Sequence, residues 1–200
     1  MKTIHFFAIV LITAILSHQA AVHSIPSVIM AIAMNKIPEK GITGAMLDGK
    51  SKDKNTQEIR TSIIQRQGIN VAMPSPRIDH TQRTVVRSTP GILYTACVFD
   101  LSQSALQLTT PTLGGYTSVS AFADNTDNFF VQDDRTATND QLDVTLVSKD
   151  WVGDTPENSK AVISPSDKGI VLFRVLIENE AKLATYVERQ RLARCTPVSI

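Results

Sequence analysis

The residues best able to do chemistry stand together in the run Asp124-Asn125-Thr126-Asp127-Asn128, which is a dense set of oxygen atoms. Such oxygens can bind Ca²⁺, and a pair of carboxylates can carry out acid–base chemistry of the glycosidase type. A calcium loop also needs a glycine at mid-loop and a glutamate at its twelfth position, where this sequence has Arg135. The pattern is therefore more typical of a polar turn between two strands, in which Asn and Asp side chains bond the local backbone.

A ligand site at this turn is the alternative interpretation. It would combine Tyr116, from the strand before the turn, with Asp124, Asn125, Asp127 and Asn128. Such a site could bind a small ligand, bind a cation or hydrolyse a substrate. Because the separation of two carboxylates decides whether they can act as an acid–base pair, this alternative depends on distances in the folded chain.

Nucleophilic catalysis would have to use His80. The other histidines, His5, His18 and His23, lie in the N-terminal segment, so His80 alone is available to a Ser–His–Asp or Cys–His unit. It follows Asp79 in a loop, where a single histidine is usually a surface residue. The short motifs of lipases, zinc proteases, P-loop proteins and dinucleotide-binding proteins do not occur. We therefore assign no catalytic residue, metal or cofactor.

The charge balance limits the classes of partner. Lys and Arg number 20 and Asp and Glu number 19, which leaves a net charge of +1 without the basic excess of a nucleic-acid binder. We expect no nucleic acid among the partners. The two cysteines are too few for a disulfide-rich scaffold or a four-cysteine zinc site.

The elements that would position these residues begin with an uncharged N-terminal segment. Residues 4–34 contain no Asp, Glu, Lys or Arg, which exceeds the roughly 20 residues that a helix needs to cross a bilayer. We assign residues 1–37 to a membrane anchor or signal segment, and the lack of a clean Ala-x-Ala motif favours an uncleaved anchor. The second half of this segment either lies in the membrane interface or packs on the soluble domain as an apolar helix.

Two opposing patterns bear on the orientation in the membrane. Lysines accumulate after the apolar segment, which by the positive-inside rule favours a cytoplasmic domain. A short basic start followed by an apolar run is what the export machinery reads, and long domains are translocated regardless of charge. We favour export, which places the domain in the periplasm.

The remainder divides into a linker and a β-rich domain. Residues 38–83 are rich in Gly, Lys, Asp and Ser, with one short helix predicted from Thr56. Over residues 84–200, β-branched and aromatic runs alternate with turn residues, which predicts a mainly β fold, an antiparallel sandwich or small jelly-roll-like barrel. Strands are predicted at 84–87, 92–100, 105–109, 116–124, 128–132, 142–147, 161–164 and 169–177. The last of these is nearly all apolar, which indicates a central strand.

A helix is predicted at the C-terminus, with Asn179 as its N-cap. Its broad apolar face would hold Leu183, Ala184, Val187, Leu192 and Cys195. In an exported protein, a disulfide between Cys97 and Cys195 would pin this helix to the sheet and contribute roughly 4 kcal/mol in the chain-entropy model. In a cytosolic protein both thiols would stay reduced.

Several blocks of sequence together resemble a known family. The blocks are Thr84-Val85-Val86-Arg87, Leu93-Tyr94-Thr95-Ala96-Cys97, Gly115-Tyr116-Thr117-Ser118, Asp124-Asn125-Thr126-Asp127-Asn128 and Gly169-Ile170-Val171-Leu172-Phe173-Arg174. In this order they resemble the domain of unknown function 1254 family, in its short, membrane-anchored bacterial branch. One departure is the run from Ser88 to Ile92, where longer relatives have Asn-x-Asp-Thr, so a polar site built on those residues is not expected here.

The resemblance implies an N-terminal membrane segment and a mainly β domain, but no reaction. Longer members carry a companion β domain, domain of unknown function 1214, and its absence from this chain implies a separate partner protein that carries it. Together with the residues, the resemblance favours a membrane-anchored, exported interaction or envelope module without catalysis. A ligand-binding or hydrolytic enzyme is the alternative.

Overall fold

A long N-terminal helix precedes a two-sheet β domain in the computed structural model, which describes residues 2–46, 68–77, 89–112, 115–157 and 159–198. Helix α1 spans Lys2–Met46 and helix α2 spans Leu183–Arg191. The strands are β1 (Met73–Pro74), β2 (Ile92–Asp100), β3 (Ala105–Pro111), β4 (Thr117–Ala123), β5 (Asn128–Asp133), β6 (Gln141–Val147), β7 (Lys160–Ile163), β8 (Lys168–Leu176) and β9 (Arg194–Val198). Single 3₁₀ turns occupy Asp134–Thr136 and Glu180–Lys182.

The strands form two sheets that pack face to face. Sheet I has the order β1-β2-β8-β4-β5 and is antiparallel throughout, and sheet II has the order β7-β6-β3-β9, in which β6 and β7 run parallel. Side chains alternate between the two faces of each strand, so every second residue enters the core between the sheets. From sheet I the core receives Cys97, Phe99, Val119, Ala121, Val171 and Phe173, and from sheet II it receives Leu106, Leu108, Leu142, Val144 and Leu146. The mainly β sandwich predicted from the sequence is confirmed.

Strand β8 is the centre of sheet I, as its apolar sequence predicted. Val171 and Phe173 enter the core, whereas Ile170 and Leu172 pack on the opposite face against α1. Gly169 begins this apolar run, and a Cβ there would collide with the Phe122 carbonyl oxygen and the Phe99 ring. The glycine therefore permits close approach of the neighbouring strand.

Seven of the predicted strands lie within two residues of β2 to β8. The predicted strand at 84–87, the predicted helix from Thr56 and His80 lie outside the described residues. Strand β1 falls within residues 38–83, which the sequence assigned to a linker, and α1 continues beyond residue 37 to Met46. The domain boundaries themselves stay a prediction.

The end of the chain differs from the prediction. Asn179 caps the 3₁₀ turn Glu180–Lys182 rather than α2, since its Oδ1 accepts a hydrogen bond from the Ala181 backbone N–H at 2.9 Å. The helix ends at Arg191, Leu192 is exposed, and Cys195 lies in edge strand β9, paired with Leu108 of β3. The prediction of a continuous helical face through Cys195 was wrong because residues 194–198 pair with β3 as an edge strand, where Pro197 is tolerated.

Candidate functional site

The C-terminal half of α1 packs on the outer face of sheet I, the face that points away from sheet II. Met30 and Ile37 are buried there, and Ala33 and Met34 pack beside them. These four positions follow the i, i+3, i+4, i+7 spacing of one helix face. The sheet side of the contact consists of Met73, Ala96, Val98, Phe122, Ile170 and Leu172. Of the two alternatives for this part of the segment, the structure shows packing on the β domain.

The N-terminal half of α1 does not pack on the sheet in this way. Every side chain from residue 4 to residue 25 is exposed, including Phe7 at 68% and Leu11 at 62%. At 1.5 Å per residue, these positions extend over roughly 33 Å, close to the thickness of a bilayer's hydrocarbon core. The segment Ile4–Pro38 is long and apolar enough to cross a membrane, a property that signal sequences share.

A disulfide joins the two sheets through the core. Cys97 on β2 and Cys195 on β9 are bonded, with their Cα atoms 6.6 Å apart. The predicted bond is therefore present, but the prediction that it pins a helix was wrong, because Cys195 belongs to sheet II. Disulfides persist in oxidising compartments, so this bond supports a location outside the cytoplasm.

Residues 124–128 form the turn that joins β4 to β5. The Asp127 backbone N–H donates to Asn125 Oδ1 at 3.1 Å, and the Asn125 amide donates to Asp127 Oδ2 at 2.6 Å. Thr126 adopts a positive φ of 74° and its N–H donates to the Ala123 carbonyl at 3.0 Å. These local bonds are those expected of an Asx turn. Asp124, Asn125, Asp127 and Asn128 are all exposed.

Tyr116 lies at the other end of β4. It precedes Thr117, whereas Asp124 follows Ala123, which places them roughly 26 Å apart along an extended strand. The structure thus brings together four of the five residues of the predicted ligand site and separates Tyr116 from them. In the described part of the chain, no group of three or more His, Cys, Asp or Glu side chains could hold a metal ion.

Near Tyr116, the 3₁₀ turn after β5 carries an ion pair. Arg135 donates to Asp133 Oδ2 through Nη2 at 2.6 Å and through Nε at 3.0 Å. These side-chain hydrogen bonds lower the pKa of Asp133 below its ordinary value. The next residue, Asp134, accepts a hydrogen bond from the Thr117 N–H at 3.3 Å. Both acidic side chains are thus committed to fixing the turn.

The sequence did not predict the contacts that hold residues 68–77 against the β domain. Asn70 N–H donates to the Val98 carbonyl at 2.8 Å, and Met73 is fully buried in β1. From α2, the buried Gln190 side chain donates to the carbonyls of Ser75 and Tyr94 at 2.8 and 2.7 Å. One amide thus joins β2, α2 and the segment after β1. A glutamine within a polar helix sequence carries no pattern that would mark this role.

Comparison with known protein families gives a match to the β domain. A family model described as "Protein of unknown function (DUF1254)" matches residues 69–197, from the segment that carries β1 into β9. The chain belongs to the DUF1254 family. Helix α1 precedes the matched region. A search of the curated proteins gives no match.

Two solved structures are similar to this DUF1254 protein. A protein from Vibrio parahaemolyticus aligns with a TM-score of 0.54 at 13% identity, covering 85% of this chain and 37% of that one. An uncharacterized protein from Burkholderia cenocepacia aligns with a TM-score of 0.42 at 11% identity, covering 90% of this chain and 51% of that one. The first likeness supports the fold. The chain spans only about a third to a half of the length of these proteins.

Proposed function

We propose that this DUF1254 protein is a membrane-anchored, exported β domain that serves as an interaction module of the cell envelope, without catalysis. The observation that carries the proposal is the division of α1 into an exposed apolar half and a half packed on sheet I. The first half has the length of a membrane span, and the second half attaches the β domain directly to it.

The apolar side chains on the exposed half of α1 would be stabilised by an apolar environment. Phe6, Phe7, Leu11 and Leu16 are each more than 60% exposed on one continuous helix. Contiguous apolar surface of this kind marks a membrane or protein contact site. A lipid bilayer supplies that environment around the whole circumference of the helix, which matches the exposure of every side chain from residue 4 to residue 25.

The disulfide supports export. Cys97 and Cys195 lie in the core with at most 8% of their surface exposed, so the bond is a structural link between the sheets. Structural disulfides of this kind are rare in reducing cytosol. An interaction module is also consistent with the described polar turns, in which the carboxylates of Asp127, Asp133 and Asp134 accept hydrogen bonds from neighbouring protein groups.

The anchor is tested by charge substitutions in α1. The double variant Leu11→Arg and Ile15→Arg places two guanidinium groups at the middle of the exposed half, at about 2.5 to 3.5 kcal/mol each on insertion scales. We expect the wild-type chain to float with membranes after alkaline carbonate extraction and the double variant to be released. The matched control is Ile163→Arg, an equally exposed apolar residue on β7, which should still float.

Two outcomes would contradict the anchor. Release of the wild-type chain by carbonate would show that the helix does not span the bilayer. Flotation of the double variant at the wild-type level would show that the apolar half of α1 is not the attachment.

A partner protein carrying the companion domain of unknown function 1214 completes the proposal. The chain covers 37% of the Vibrio parahaemolyticus protein, so that protein contains a large additional part. If a separate chain supplies a corresponding domain here, the two proteins should co-purify from membranes in detergent. Recovery of this chain without a protein of that type, after crosslinking of intact membranes, would contradict the idea.

A further inference from the structure

The half of α1 that packs on sheet I has a second apolar face. Ile25, Val28, Ile29 and Ile32 lie on it, and each of them is between 48% and 56% exposed. Their spacing of i, i+3, i+4 and i+7 is that of a single helix face. Met30, which packs on sheet I, is only 6% exposed. We call the four exposed residues the outer stripe.

The outer stripe and the sheet contact lie on opposite sides of the same helical turns. Val28 and Ile32 are each two residues from Met30, which places them roughly 160° from it around the helix axis. Sheet I therefore covers one side of the helix, and the described residues leave the other side uncovered. A helix that packs on a sheet in water is typically polar on its outward side, where this helix carries branched apolar side chains.

The outer stripe continues the apolar surface of the N-terminal half of α1. Residues 3–35 contain no Asp, Glu, Lys or Arg, so no charge separates the two surfaces. Residues 4–32 extend over roughly 44 Å, which matches the thickness of about 40 to 45 Å of a bilayer with its headgroup regions. When residues 4–25 fill the hydrocarbon core, the outer stripe lies in the interfacial region next to it.

A positive charge marks the end of the stripe. Lys36 follows Ile32 by four residues on the same side of α1, and its side chain is exposed. It is the first charged residue after Lys2. A lysine at the end of an apolar segment acts as an anchor at the boundary between lipid and water, and its charge complements anionic headgroups. The order of apolar and basic residues thus favours a lipid surface as the occupant of this face.

We propose that the outer stripe is a lipid-contact surface, which places the second half of α1 in the interfacial region of the bilayer while its other side holds sheet I. The inference rests on the membrane anchor proposed above, and it adds the position of the β domain. Because a helix is about 10 to 12 Å across, sheet I lies within roughly that distance of the lipid. The β domain is then fixed at the bilayer surface instead of hanging on a flexible tether.

The test uses spin labels on single introduced cysteines, in the full chain in nanodiscs of phosphatidylcholine and phosphatidylglycerol in equal parts. Both native cysteines are disulfide-bonded, so labelling without reductant modifies only the introduced thiol. Val28→Cys and Ile32→Cys report on the outer stripe, Leu11→Cys on the exposed half of α1, and Lys149→Cys on the water-exposed surface of the β domain. Electron paramagnetic resonance measures collisions of each label with oxygen, which concentrates in lipid, and with a water-soluble nickel complex.

The expected result is a ranking of the labels by depth. The nickel collision rate at Val28→Cys and Ile32→Cys should be severalfold lower than at Lys149→Cys, and the oxygen collision rate should be higher. Leu11→Cys should show the same difference more strongly, because it lies deeper in the bilayer. Thermal unfolding at the wild-type temperature is the control that the labels leave the packing of Met30 on sheet I intact.

The possible contrary results are distinguishable. A nickel collision rate at Val28→Cys and Ile32→Cys equal to that at Lys149→Cys, while Leu11→Cys contacts lipid, would overturn the inference and leave the anchor intact. Low collision rates with both reagents would show that protein covers the outer stripe, which also overturns it, and dipolar broadening between labels would then identify a second copy of the chain. Free access of nickel to Leu11→Cys would contradict the anchor itself.

Discussion

Removal of the inter-sheet disulfide should destabilise the β domain by an amount that can be worked out in advance. The bond closes a loop with a sequence separation of 98 between Cys97 and Cys195. In the chain-entropy model a loop of about 100 residues contributes about 4.7 kcal/mol, by restricting the unfolded chain. The matched region covers residues 69–197, and a domain of that size has an unfolding entropy near 0.27 kcal/mol/K. The predicted loss in unfolding temperature is therefore about 17 °C.

The assay compares the wild type with Cys97→Ala/Cys195→Ala in denaturant and thermal unfolding, with and without reductant. Reductant should lower the wild-type midpoint towards that of the double variant and leave the double variant unchanged. This second comparison separates the covalent link from the loss of two buried sulfur atoms. A wild-type loss on reduction of less than about 1 kcal/mol would contradict this expectation, since it would mean that the bond barely restricts the unfolded chain.

Three further predictions follow from the packing and the ion pairs. Ile37→Ala should destabilise the helix–sheet contact by about 2 to 4 kcal/mol, seen as faster proteolysis in α1 while the thermal unfolding of the β sheets changes little. Gln190→Ala removes the donor to the Ser75 carbonyl and one of the donors to the Tyr94 carbonyl, and it should cost about 1 to 3 kcal/mol in urea unfolding. Gln141→Ala at an exposed position should change stability by less than about 0.5 kcal/mol. Arg135 lowers the pKa of Asp133 in the folded state. The ion pair therefore stabilises the folded chain above the unfolded pKa of an aspartate, and this stabilisation should be lost as the pH falls through the lower pKa of the folded state. Arg135→Gln should reduce the dependence of the urea midpoint on pH in this range.

Much of the β domain was predictable because its strands follow strong local rules. Leu142, Val144 and Leu146 alternate with polar residues and enter the core, and the nearly uninterrupted apolar run of β8 lies at the centre of sheet I. In such segments the side-chain period and the burial pattern agree, so the sequence alone predicts the ends of these strands to within two residues. The turn at 124–128 was predictable for a similar reason, since Asn and Asp favour local backbone bonds.

The errors arose where tertiary contacts override local preference. Strand β1 has only two residues, and Met73 is buried through pairing with Ala96 of a strand far along the chain. The run after Arg191 has a helical sequence pattern, yet β9 forms because the edge of β3 accepts it and the disulfide holds it there. No local pattern reports such long-range pairing.

The location of the β domain is tested most directly by a single introduced thiol. Lys149 is exposed beyond β6, and within the described residues both cysteines are disulfide-bonded, so Lys149→Cys provides a reactive group on the domain surface. Bacterial spheroplasts expressing the full chain are treated with a membrane-impermeant maleimide before and after lysis. We expect full labelling of intact spheroplasts, with the labelled chain in the membrane fraction. Labelling that requires lysis, or a labelled chain in the soluble fraction, would contradict an exported, membrane-anchored domain.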